Sequence, residues 1–385
     1  MSKKTFTIYK LKFKSALHIS RGKDDEDYSK SDSFIHSDTL KSAIFSTAVL
    51  LNSELQNEVN GEKFFNSFLL SSTFPYFKDT LFLPKPKGKL PFTDTPNEEP
   101  SYDFKKDLKK INFIDLDLFL EFFKEKNEKK ILKNDKKFVF ASDYLLKPEL
   151  LEKGKCLEEN KEQKEKFCDK KSFSVLKSEV QERVYIRKYN EIFDSTEKNK
   201  PVFSDPYIVD KIYFNDDAGL YFLVEQFINF DEVFFDKVLK NLGDFGIGTD
   251  RNVGNGQFEI IAKQTKEFNF ADNSNYLMNL SLFLPTENEV EKFTENCQYK
   301  LIKRGGWISN ITDLEILNNE IIEQNKQKVL RKKKSVNMID EASVFENNVS
   351  FTGKYVDLNP EKNNIKHPIW REGRAIFIPI NNIKI

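Results

Sequence analysis

The chain has 385 residues, enough for two ordinary domains each with its own core. Its 61 basic and 61 acidic residues cancel, which excludes a free-standing polycation held to nucleic acid by bulk charge. With 37 phenylalanines and 39% hydrophobic content, wholesale disorder is excluded as well.

Near the N-terminus Tyr9, Leu11 and Phe13 alternate with Lys10, Lys12 and Lys14, the period of a strand with one apolar and one basic face. After a polar loop holding Asp24, Asp25, Glu26 and Asp27, Ser37 is placed to cap a helix. In that helix Leu40, Ile44, Ala48 and Leu51 share one face, and Asp38 favours the first turn. Residues 84–178 are rich in lysine and glutamate, with a helix expected over 116–124. Their apolar content predicts an excursion from the first domain without a large core of its own.

Strand patterns return at 183–188 and 220–227, and a helix is expected over 231–242 with Gly243 as its stop. A glycine-rich loop follows, and then a strand over 257–262. Strand, helix, strand, strand, helix, strand is the order of a ferredoxin-like (RRM-like) domain. A second unit begins at about residue 266, with strand patterns over 276–284, 299–303 and 375–380, a basic segment containing Arg331 to Lys334, and no fixed repeat. The expected class is α+β: two ferredoxin-like domains, 1–265 and 266–385, with a long charged insertion in the first.

The loop at 243–258, GDFGIGTDRNVGNGQF, holds Gly243, Gly246, Gly248, Gly254 and Gly256 around Arg251, five of the chain's 14 glycines. Exposed amides beside a guanidinium suit phosphate groups; the plain alternative is a tight helix-to-strand crossing. Neither nucleotide fingerprint fits. Arg251 stands where the dinucleotide motif needs its third glycine, the loop follows a helix instead of a strand, and no G-x-x-x-x-G-K-[ST] run occurs.

The three histidines are His18, His36 and His367. His18, with Arg21 nearby, and His36, just before the capped helix, could act as acid or base in metal-free RNA cleavage. A packed core residue and a loop residue are the better readings, with backbone contact to RNA open to both. No metal-ligand spacing is present, and Asp24–Asp27 reads as a solvated turn. Cys156, Cys168 and Cys297 form no CxxC pair, so neither a disulfide framework nor a zinc site is expected. Arg304-Gly305-Gly306-Trp307 joins a cation, a pliable backbone and an indole, a combination able to grip and stack on a base; Trp307 filling a core is the alternative. No apolar run approaches the ~20 residues of a membrane helix. The opening MSKKTFTIYKLKF lacks a secretory signal, so the cytoplasm is the expected compartment.

Taken together, the segments LHIS, HSDTLKSAIF, GIGTDRNVGNGQF, KRGGWIS and HPIWREGRAIFIPI resemble the RAMP-superfamily proteins that form subunit four of Csm-type (type III-A) CRISPR interference complexes. The resemblance touches both halves and skips residues 84–178. It implies a non-catalytic scaffold, without cofactor or metal, that holds the repeat-derived 5′ tag of the CRISPR RNA. It further implies contact with target RNA through the complex, docking of the large polymerase-like subunit, and contact with a backbone RAMP subunit. The RNA-binding residues it implies are His18, Ser20 and Arg21 after the first strand; His36, Ser37, Asp38 and Lys41 at the helix start; and Gly246, Gly248, Arg251, Gly254 and Gly256 in the loop. Arg304 and Trp307 join them on their own chemistry. The family's first strand commonly ends LHIG; here Ser20 takes that glycine's place, with Gly22 close by. The rival from another class is a CRISPR-RNA-processing endoribonuclease using His18 or His36.

Overall fold

A computed structural model describes residues 2–20, 29–95, 99–124, 130–152, 173–184, 206–270, 273–308, 332–360 and 367–383. In chain order the first part comprises β1 (Ser2–Phe13), α1 (Ser37–Leu51), α2 (Glu58–Asn66), β2 (Phe68–Leu70), β3 (Phe74–Phe77) and β4 (Thr80–Pro84). Then come β5 (Phe92–Thr93), α3 (Tyr102–Lys110), β6 (Phe113–Asp115), α4 (Leu116–Lys124), β7 (Ile131–Leu132), β8 (Val139–Ala141), β9 (Tyr144–Leu146) and α5 (Pro148–Glu152). The hairpin of β10 (Leu176–Val184) and β11 (Pro206–Phe214) precedes β12 (Ala218–Gln226), α6 (Glu232–Phe245) and β13 (Phe258–Phe270). The last part holds β14 (Tyr276–Asn279), α7 (Glu287–Val290), β15 (Leu301–Arg304), β16 (Val336–Ile339), β17 (Val344–Glu346), β18 (Val356–Asp357), β19 (Trp370–Arg371) and β20 (Phe377–Ile380). The class is α+β.

One nine-stranded sheet runs β13-β1-β12-β3-β4-β6-β9-β8, with β2 also pairing β12. Alternation along β1 sends Tyr9 and Leu11 to one face and Phe6 and Ile8 to the other. The first pair packs with Leu40 and Ile44 of α1 and Val238, Leu239 and Leu242 of α6. The second pair packs beneath residues of the insertion and of the C-terminal part. The basic face expected of β1 is therefore partly an apolar one. Lys10 is half-buried over the Tyr76 ring and donates to the Lys78 carbonyl (3.1 Å), while Lys14 pairs with Glu259 at the surface (3.1 Å).

The largest departure from expectation lies in residues 84–178. Phe92, Phe104, Phe119, Phe123, Phe138, Tyr144 and Phe173 are all buried in the largest core cluster, alongside Met278, Leu280 and Ile378 of the C-terminal part. The segment is not a coreless excursion. Its phenylalanines interlock edge to face, as in Phe92 with Phe122 and Phe104 with Phe140. The C-terminal part builds a three-stranded sheet, β17-β14-β20, with Phe283, Phe345, Phe351 and Phe377 as its own cluster.

Two local expectations also change. The helix α6 runs past Gly243 to Phe245, and Gly246 at φ 80° ends it, its amide donating to the Leu242 carbonyl (2.8 Å). Gly243 is instead a close-approach site, since a Cβ there would strike the Phe258 carbonyl. Ser37 does not cap α1. His36 holds the cap position without a side-chain capping bond to the helix, and the Ser37 hydroxyl accepts from the Leu282 amide across to the C-terminal part (2.9 Å).

Candidate nucleic-acid interface

The glycine loop, the segment after β1 and the base of the β10–β11 hairpin meet in one place. Leu17 and Ile212 exchange amide–carbonyl bonds of 2.8 Å, tying the segment to the hairpin. His18 is buried with Nδ1 2.6 Å from the Asp210 carbonyl. The Asp210 carboxylate accepts from the Ser31 amide (2.9 Å) and from the Ser178 hydroxyl. Arg183, at the far end of β10, reaches Asp250 of the loop at 2.6 Å. Ser20, half-buried, bridges to Ser31; Arg21 and Asp24–Asp27 lie outside the described residues.

Most of the loop's amides turn inward. Ile247 donates to Gly256, Thr249 to His18, Gly256 to Ala16 and Gln257 to the Ser15 hydroxyl, all at 2.8–3.0 Å. Val253, Gly254 and Asn255 donate to carbonyls within the loop. The glycines serve this packing: a Cβ on Gly248 would meet the His18 carbonyl and one on Gly256 the Ile247 carbonyl. Gly254 differs, with φ 84° and nothing within 4 Å of a Cβ. The turn over Arg251–Val253 leaves Arg251 exposed at the loop's tip, opened by Asp250 at φ 64°. What the loop offers a ligand is thus a guanidinium on a braced turn; the amides named here are already bonded within the protein.

The residues at the start of α1 go to another task. Asp38 is fully buried and accepts from Arg304 Nε (2.9 Å), Arg304 Nη2 (3.0 Å) and Arg371 Nη1 (2.6 Å). Burial pushes its carboxyl up, but the Arg304 and Arg371 guanidiniums outweigh this and hold it well below the usual carboxylate range. Lys41 is buried over the Phe68 ring, donates to the Phe68 carbonyl (2.6 Å) and lies 3.7 Å from Glu372. Burial lowers its pKa to about 7. Glu372 also takes Arg374 at 2.7 Å. These ion pairs cross between the N-terminal and C-terminal parts, so Asp38, Lys41 and Arg304 are welded into a junction instead of facing a ligand.

His36 belongs to the same junction. Its Nδ1 lies 2.8 Å from Glu341 Oε1 and its Nε2 3.4 Å from Asp32. Burial pulls its pKa down, but the adjacent Glu341 carboxylate raises it, to a net value of about 10. An imidazolium so held is no general base at neutral pH. His36, Asp340 and Glu341 bring ligand atoms within 4.8 Å of one another, the one such group among the described residues. Sequence reading missed it because His36 and Glu341 are 305 residues apart.

Trp307 does not fill a core. It is 44% exposed, bridged to Lys332, beside Gly306 at φ 106° and the Lys333 amide on the Gly306 carbonyl (2.9 Å). Arg331 lies outside the described residues. Elsewhere, an open cleft of about 670 Å³ between α2 and the β12–α6 turn is edged by Val59, Phe227 and Ile228, all exposed. No helix among the described residues is long and apolar enough to cross a membrane.

A model of the RAMP superfamily matches residues 10–259, and one of the CRISPR Csm4 C-terminal domain matches 272–320 and 321–380. The CRISPR system Cms protein Csm4 of Thermococcus onnurineus (strain NA1) is 24% identical over 274 residues, 70% of this chain and 74% of the relative. Among solved structures, a chain of the Csm3-Csm4 subcomplex in the type III-A CRISPR-Cas interference complex superposes with a TM-score of 0.55. The identity is 19%, over 98% of this chain and 100% of that one, a likeness of fold. A chain of the Csm1-Csm4 cassette in complex with pppApA gives 0.49 at 18% identity over 98% of each chain.

Proposed function

The chain belongs to the RAMP superfamily and carries a Csm4 C-terminal domain, and on that premise we propose that it is a non-catalytic RNA-binding scaffold of a type III-A CRISPR effector complex. It holds the 5′ tag of the CRISPR RNA, sits against a backbone RAMP subunit of the Csm3 kind, and docks the large polymerase-like subunit, in the cytoplasm of a prokaryote. Both parts are read as ferredoxin-like, divided near residue 265. The sheet order β13-β1-β12 with β2 beside β12 supports this for the first.

The observation that carries the reading is the braced Arg251 tip beside the segment after β1 and the β10–β11 hairpin. An exposed guanidinium on a fixed turn suits a phosphate. The proposed RNA contacts are accordingly Arg251, Gly248, Gly254 and Ser20, with the exposed Trp307 stacking on a base. The hairpin, with Val180, Val184 and Ile208 exposed along it, is the element we assign to the guide–target duplex. The cleft edged by Val59, Phe227 and Ile228 is offered as subunit interface.

The endoribonuclease alternative finds little support. His18 is buried against Asp210, and both ring nitrogens of His36 face carboxylates. Arg251→Glu should lower the CRISPR RNA retained by the assembled complex about tenfold or more, since a charge reversal at a phosphate contact costs affinity. Unchanged RNA yield would return the loop to a mere turn. Specific cleavage of repeat RNA by the purified chain in EDTA, lost in His18→Ala, would establish the nuclease instead.

A further inference from the structure

We propose that His36, Asp340 and Glu341 form a binding site for a divalent first-row metal ion, with zinc the preferred one, that pins the start of α1 to the turn after β16. The ligand atoms of all three lie within 4.8 Å of one another. The His36 Nδ1 to Glu341 Oε1 contact of 2.8 Å is a hydrogen bond, and a tetrahedral ion ~2.0–2.2 Å from each atom would take the place of its proton and widen the pair to roughly 3.3–3.6 Å. One imidazole and two carboxylates suit zinc or manganese, and the affinity order favours zinc.

Three further observations point to an occupant. Glu341 is 96% buried (4% exposed), yet its Oε2 accepts no hydrogen bond among the described residues. A buried carboxylate oxygen left so is costly unless something fills the place. On the far side of the ring, Asp32 stands 3.4 Å from His36 Nε2, where a carboxylate orients a metal-bound imidazole. The Asp340 side chain is 21% exposed, which gives an ion a way in from solvent.

Charge agrees with this. Around the site stand the carboxylates of Asp32, Asp340 and Glu341, with Lys87 3.3 Å from Asp340. Arg304 is engaged by Asp38. A divalent ion would displace the His36 proton, since a ligating imidazole must be neutral, and would supply the positive charge that the proton now gives Glu341. The Ser72 hydroxyl on Glu341 and the edge of Phe34 against His36 (4.9 Å) fix the remaining walls. The ion would act as a clasp between the two parts of the chain, independently of the RNA role.

The test uses the full chain, stripped with chelator, reloaded with zinc chloride, desalted and assayed for metal by mass spectrometry. Wild type should retain one equivalent and melt at a higher temperature than the stripped protein, and cobalt loading should give visible d–d bands. His36→Gln and Glu341→Gln should each retain less than about a tenth of that, while Ser72→Ala keeps it. Should Glu341→Gln fail to fold, Asp340→Asn, at a partly exposed position, serves in its place. Wild type retaining no zinc, or His36→Gln and Asp340→Asn retaining as much as wild type, would overturn the site.

Discussion

Lys41 brings an ammonium into the interior over the Phe68 ring, and its consequences are readable by titration. Burial holds its pKa at about 7, below the ordinary lysine value near 10.5. The charged form is therefore disfavoured in the folded chain. That cost is full below pH ~7 and is relieved as pH rises toward the unfolded value. Lys41→Met, which leaves Glu372 paired to Arg374, should be more stable than wild type in urea at pH 6, with the gap narrowing by pH 9.5. An equal gap at both pH values would show that Lys41 is not a buried titrating group. The loop glycines divide on similar grounds. Gly256, at φ 73° with the Ile247 carbonyl in the way, should lose about 2–3 kcal/mol as Ala, against about 1 kcal/mol for the open Gly254. Thermal melts of the two variants distinguish packing from mere backbone freedom.

At the scale of elements, helical and strand periods made α1, α4, α6 and β12 legible because each buries one regular stripe: Leu40, Ile44 and Ala48 in α1, and Val238 and Leu242 in α6. The core of residues 84–178 was hidden for the opposite reason. Apart from α4, its own strands β5 to β9 are two or three residues long, too short to show a period. The segment's place in the fold is tested by Phe104→Ala. Phe104 is 1% exposed and packs edge to face on Phe140, so truncation should cost about 3–5 kcal/mol in urea unfolding. A loss below about 1 kcal/mol would return the segment to an independent excursion. The candidate site was half legible. Arg251 and Trp307 announced themselves by local composition, whereas Asp38 and Arg304 read as RNA contacts because the ion pairs that bury them join residues 266 and 333 positions apart.

At the scale of the whole molecule, a balanced total charge goes with a junction built from buried ion pairs between Asp38, Arg304 and Arg371 and between Lys41 and Glu372. An intact buried pair of this kind adds little net stability, yet removing one partner is strongly destabilising because it leaves a buried charge uncompensated. On one side the junction holds α1 and the sheet, and beyond it the glycine loop, the hairpin and the segment after β1 converge on Arg251. Ultraviolet crosslinking of the assembled complex, with a photoreactive nucleotide in the 5′ tag and peptide mapping of this subunit, tests the central claim most directly. The account requires crosslinks on the peptides bearing Ser20, Arg251 or Trp307, from an intact and uncleaved tag. Tag crosslinks confined to other subunits, or to surfaces of this chain remote from all three, would contradict it.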